Sequence, residues 1–235
     1  MKTKKVLLLI TSLVLVMAVL TGCKIKNYDK ALIDINNGED KITLGYANFV
    51  FKYNQAKYDI NYGETYGASL WTEDMTGSGQ TFTDEMKDNL VDTMEQQYVM
   101  RKHADEYGVK LTDEDNKKID DATQKFLKDN TASALNALGA DESVVKEFFT
   151  NLTYVAKMQQ AMTDKGKAEG AINDSTTSST YINNLVEGWK SAYTFKVDDD
   201  LLKELKVDDL FSQVGGSSSN STTTNSSSAT KSASK

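Results

Sequence analysis

The two side chains with the widest chemical repertoire, a thiol and an imidazole, occur once each in 235 residues, as Cys23 and His103. A nucleophilic thiolate or serine needs a base held beside it, and a zinc site needs three or four thiolates, imidazoles or carboxylates at close spacing. Neither residue has such company in the sequence. Cys23 has no partner for a disulfide, and His103 lies on a charged stretch off the apolar stripe before it, which predicts a solvated surface side chain. The acidic clusters Thr112–Asp115 and Val197–Asp200 lack the alternating ligands, central glycine and terminal glutamate of a calcium loop, and acids at helix N-termini account for them. There is no phosphate-binding glycine loop, no dinucleotide fingerprint and no nucleophile elbow. The pattern predicts no catalytic residue, no cofactor and no metal.

What Cys23 is for is legible in its surroundings. Lys2, Lys4 and Lys5 precede an apolar run from Val6 to Leu20, and the small residues Thr21 and Gly22 stand before the cysteine. This is the layout of a secretory signal. The run of 15 residues is short for a helix that must cross the hydrocarbon core, which takes about 20. Leu20-Thr21-Gly22-Cys23 resembles the bacterial lipobox, which implies lipid transfer to the Cys23 sulfur and cleavage just before it. Two or three acyl chains, at about 0.8 kcal/mol per buried methylene, hold a protein stably at a membrane where one chain does not. The expectation is a signal peptide over 1–22, a lipid-anchored tether over 23–29 and a body on the extracytoplasmic face of the cell membrane.

The full chain has a formal net charge of −7. Without residues 1–22 it loses three lysines and no acids, so 24 basic side chains face 34 acidic ones, a net charge of −10. That balance argues against a nucleic-acid partner, which would want a basic face. From Gly215 to Lys235 there is no aromatic or branched aliphatic residue, so 215–235 is read as a disordered tail. Residues 30–214 remain as the folded body.

Within the body, Leu32, Ile33 and Ile35 face Ile42 and Leu44 across an Asn-Gly turn signal, which predicts a hairpin. The period then becomes helical. A first helix is expected over Tyr46–Asn61, followed by a long glycine-marked loop holding Trp71 and Met75. A second begins after Thr81 and runs to Ala104, a third is capped by Thr112 and Asp115, and a short one spans Ala132–Leu138 before Gly139. A long helix follows Asp141 to about Thr163. A polar connector over Asp164–Ser179 leads to a last helix over Tyr181–Ala192, a strand in "YTFKV" and a short helix in "DDLLKELKV". The expected fold class is mainly α, with a short N-terminal hairpin and a returning C-terminal helix and strand.

Aromatic residues crowd the first helix with its loop and also the last helix. Methionines, whose flexible thioethers adapt to varied apolar partners, recur on the helices between. Tyr53, Trp71, Met75, Trp189 and Tyr193 are the residues expected to line an apolar peptide-binding cleft, with core packing as the alternative for each.

Three stretches, "KITLGYANFVFKYNQAKYD", "TFTDEMKDNLVDTMEQQYVMRKHADEYGVKLTDEDNKKID" and "LGADESVVKEFFTNLTYVAKMQQAM", together resemble the N-terminal chaperone domain of the SurA and PrsA foldases, akin to the peptide-binding part of trigger factor. The likeness covers about Lys41 to Met162, and "VEGWKSAYTFKVDDDLLKEL" resembles the segment that returns to that domain after an insertion. In the PrsA-like lipoproteins the insertion is a parvulin-type prolyl isomerase. Here 18 residues separate Met162 from Tyr181, too few for a domain of at least about 50. The resemblance therefore implies a lipid-anchored chaperone without isomerase activity, whose partners are unfolded or partly folded exported proteins. The alternatives are an assembly lipoprotein that holds one folded partner, and a prolyl isomerase.

Overall fold

The computed structural model describes residues 15–17, 28–207 and 210–213. Cys23 and the tail over 215–235 lie outside the described residues, as does the expected signal over 1–22 apart from Leu15–Met17. Among the described residues no helix is long and apolar enough to cross a membrane.

The chain is mainly α-helical. After a short strand β1 (Leu15–Met17) come β2 (Ala31–Ile35) and β3 (Asp40–Thr43), paired antiparallel with Ile33 opposite Ile42 and Ile35 opposite Asp40. Asn36 and Asn37 take the left-handed conformation at φ 52° and 59°, which asparagine tolerates better than most residues, and Gly38 follows at φ 95°. The hairpin thus forms where the sequence predicts it. Leu44 does not extend β3: Thr43 accepts a hydrogen bond from Tyr46 N–H and starts α1 (Leu44–Tyr66).

Helix α1 runs past the expected Asn61 and through Gly63, so the loop predicted from the glycines starts later. Part of that loop is itself helical, as α2 (Ser69–Thr72) carrying Trp71. Next come α3 (Phe82–Lys102), a 3-10 turn (Ala104–Tyr107), α4 (Asp113–Asp129), α5 (Ala132–Leu138) and α6 (Glu142–Ala168). Their starts match the sequence signals. Thr81, Thr112, Thr131 and Asp141 each accept a backbone N–H from three residues on.

At Thr112 the box is reciprocal, because the Asp115 carboxylate also accepts the Thr112 N–H at 2.9 Å. Thr112→Ala is expected to destabilise the protein by about 1 kcal/mol. Urea denaturation would show this as a lower midpoint with an unchanged slope.

The expected connector over 164–179 shrinks to residues 169–174. Helix α6 persists to Ala168, and Asp174 caps α7 (Ser175–Lys190) through Thr177 N–H. The serines and threonines that made this stretch look like a linker are the first turns of a helix. The chain returns through β4 (Phe195–Val197), α8 (Asp199–Leu202) and β5 (Phe211–Gln213). Strand β4 pairs antiparallel with β2 on the side away from β3, and β5 pairs with β1.

Two apolar clusters hold this arrangement. The larger joins β2, α1, α3, α4, α5 and α6 through Leu32, Phe49, Leu90, Phe126, Leu138 and Phe149. The smaller joins the end of α3, the later turns of α6 and α7 through Val99, Met158, Met162 and Val186. The helices seal most of their stripes against one another.

Candidate functional site

Helix α1 packs one aromatic face inward. Phe49 lies 5.4 Å from Phe148 and 6.0 Å from Phe126, ring centre to ring centre, and Tyr53 lies 4.8 Å from Phe148. A face of α1 turned by part of a helical turn from that one reaches solvent. Tyr58, Tyr62 and Tyr66, at four-residue steps, are 37%, 47% and 45% exposed and are the exposed large apolar side chains among the described residues. Tyr58 and Tyr62 stack at 6.1 Å, and Tyr58 meets the Phe82 ring edge-on at 4.9 Å.

Tyr58, Tyr62 and Phe82 line a groove between α1 and α3 of about 330 Å³, together with Val50, Met86 and Leu90 and the amides of Asn54, Asn61 and Asn89. Apolar rings flanked by amides can take up apolar side chains and bond a polypeptide backbone at once.

Trp71 is anchored beneath the far end of α1. It is 3% exposed, and its Nε1–H donates to Asp59 Oδ1 at 2.8 Å. The same carboxylate accepts Gln55 Nε2 at 3.2 Å and the Phe211 backbone N–H at 3.1 Å through Oδ2. One buried acid thus ties α1, α2 and β5 together. Burial is the largest influence on its pKa and pushes it up, against those hydrogen bonds and the charge of Lys52. Lys52, also buried, donates to Gln55 Oε1 and to the Lys206 carbonyl.

The structure does not gather the five residues expected to form the cleft. Tyr53 packs half-buried in the phenylalanine cluster and Met75 half-buried against the same core. Trp71 borders a shallow concavity with Leu205, Val207 and Leu210, but its ring faces inward. Trp189 belongs to the smaller cluster, stacked on His103 at 4.4 Å with ring planes 6° apart. Tyr193 packs half-buried between Tyr98, Phe195 and His103. None of the five lines the α1–α3 groove.

His103 also departs from expectation. It is half-buried under Trp189, with Nδ1 2.7 Å from Glu106 Oε1. Sequence reasoning passed over Tyr58 and Tyr62 as groove residues; the signal was their spacing of four with Tyr66, out of step with Phe49, Tyr53 and Ala56.

A second, more polar concavity of about 390 Å³ lies where α3, α6 and β3 meet the start of α1, lined among others by Lys41, Tyr46, Gln97, Arg101, Glu147 and Tyr154. At its base Asn151, 5% exposed, donates from Nδ2 to Tyr46 Oη at 2.7 Å and accepts Arg101 Nη1 at 2.7 Å through Oδ1. Burial pushes the Tyr46 phenol far above its ordinary range, so it stays protonated.

No protein-family model, no curated protein and no solved structure matches this chain.

Proposed function

We propose that this chain is a lipid-tethered, extracytoplasmic chaperone-like protein that holds unfolded segments of exported polypeptides in the α1–α3 groove. The observation that carries the reading is the exposure of Tyr58 and Tyr62 beside Phe82 and Met86, where the remaining apolar stripes are sealed. The N-terminal signal pattern with Cys23 supports the membrane location, and the resemblance of residues 41–162 to foldase chaperone domains supports the class. No covalent step is involved; binding is burial of apolar side chains against tyrosine rings with amide contacts to the backbone.

The test is aggregation of a chemically unfolded client in the presence of the lipid-free chain from residue 24 onward. Suppression at near-stoichiometric ratios is the expected result, and no effect at excess would remove the reading. Tyr58→Ser/Tyr62→Ser is expected to leave the fold intact, since both rings are exposed, and to weaken client binding by roughly tenfold. Fluorescence anisotropy of a labelled client peptide would measure it.

The small extent of the exposed apolar surface favours one second reading, an assembly lipoprotein that holds a single folded partner. A pull-down that returns one stoichiometric protein, with no effect on client aggregation, would decide for it.

A further inference from the structure

We infer that the polar pocket around Arg101 is a carboxylate-binding site and that it takes the free C-terminal carboxylate of a polypeptide lying along α1 and α3. This deepens the proposed function and rests on it. The argument starts from the guanidinium. Arg101 is held from below by Asn151, itself fixed by the buried Tyr46 hydroxyl, and from the side by the Tyr154 ring at 5.6 Å. Such a support orients a planar fork of donors, which is how arginine recognises carboxylates.

No carboxylate among the described residues completes the pair. Glu147 shares the pocket; burial raises its pKa and the Arg101 charge, felt through space, lowers it by less, but the two make no direct ion pair. The neighbouring cations are already engaged: Lys102 pairs with Asp40 at 3.1 Å and lies over the Tyr98 ring, and Lys41 Nζ donates to the Asp29 carbonyl at 2.9 Å. Arg101 is thus a supported cation at the wall of a cavity, with no direct ion pair among the described residues. Glu147 and Asp40 also line the pocket and repel a dianion such as phosphate more strongly than a single carboxylate.

The pocket's place in the fold points to the source of that carboxylate. Tyr46 is one helical turn from Val50 on α1, and Met94 and Gln97 are one turn from Leu90 and Thr93 on α3, so the pocket and the tyrosine groove lie in line along the same two helices. From Tyr46 to Tyr62 the helix rises about 24 Å, the length of about seven extended residues. An extended segment with apolar side chains over Tyr58 and Tyr62 would bring a chain end to Arg101.

The experiment uses the full-length chain in mild detergent and a nine-residue peptide of alternating leucine and serine, labelled at its amino end, with a free or an amidated C-terminus. Titrations are followed by anisotropy, with sodium acetate and free leucine as competitors. The free acid is expected to bind tighter than the amide by roughly tenfold, and Arg101→Gln to abolish that difference without lowering the melting temperature appreciably. The preference would run against the net negative charge of the chain, which by itself favours the amide.

Equal affinity of acid and amide for the wild type overturns the carboxylate site and leaves the polypeptide reading standing. A preference that persists in Arg101→Gln overturns the assignment to Arg101. Displacement of the peptide by free leucine or acetate at similar concentrations overturns the peptide terminus as the source. Failure of both peptides to bind overturns the inference together with the reading beneath it.

Discussion

Asp59→Ala is expected to destabilise the protein by about 3–5 kcal/mol, a large share of the total for a domain of this size. The substitution leaves Trp71 Nε1–H, Gln55 Nε2–H and Phe211 N–H without their acceptor and removes a carboxylate that interacts with the charge of buried Lys52. Each buried donor left unpaired costs about 1–3 kcal/mol. Asp59→Asn keeps the shape but turns one acceptor into a donor, so it retains part of the network and should cost about 1–3 kcal/mol at neutral pH.

The two substitutions are separated further by pH. A carboxyl whose folded pKa is raised holds its proton in the native state at pH values where the unfolded chain has lost it. The native state therefore gains stability as pH falls through the raised value toward the unfolded one, and loses it as pH rises through the folded pKa. Asparagine has no such response. The stability gap between wild type and Asp59→Asn should widen on acidification, as urea midpoints at neutral and mildly acidic pH would show. A gap that narrows would mean that Asp59 is more stable ionised than its burial implies.

Phe49→Ala is the second large effect, about 3–5 kcal/mol. Phe49 is fully buried, and its ring touches α4 through Phe126 and α6 through Phe148 while sitting on α1. Alanine would open a cavity where three helices meet and remove edge-to-face contacts worth more than their area. Phe49→Leu, which fills most of the space, is expected to cost about 1–2 kcal/mol. Guanidinium denaturation followed by tryptophan fluorescence reports both, since Trp71 sits in the same cluster and Trp189 in the other. If alanine and leucine cost the same, filling the space counts for nothing and the loss lies in the ring contacts alone.

Local signals in the sequence proved the most faithful guides. A threonine or aspartate three residues before its backbone donor marks a helix start through chemistry that acts within one turn, and Thr81, Thr112 and Asp141 all sit where their helices begin. The Asn-Gly hairpin is of the same kind. Ends were harder to read, because a glycine such as Gly63 is tolerated inside a helix whose other face is packed, and because "Ser-Thr-Thr-Ser-Ser" after Asp174 has linker composition but a good cap.

The candidate site was less legible for a further reason. Periodicity finds a stripe but does not say which of two adjacent stripes on an aromatic helix will be covered. On α1 the face of Phe49 and Tyr53 went inside and that of Tyr58 and Tyr62 stayed out. Trp71 was unreadable as buried without Asp59, an acid that composition alone places on the surface. The Arg101 pocket draws on residues from α1, α3, α6 and β3, so no local pattern announces it.

The order of strands, β3 then β2 then β4, places Val197 beside Ile33. A nascent chain emerging amino end first carries Ile33 out early, yet must wait for nearly the whole body before that neighbour arrives. Until then one margin of the hairpin stands open, and closing a loop of this length is slow compared with making a helix. Completion of this sheet therefore waits for the carboxyl-terminal part of the body to be made.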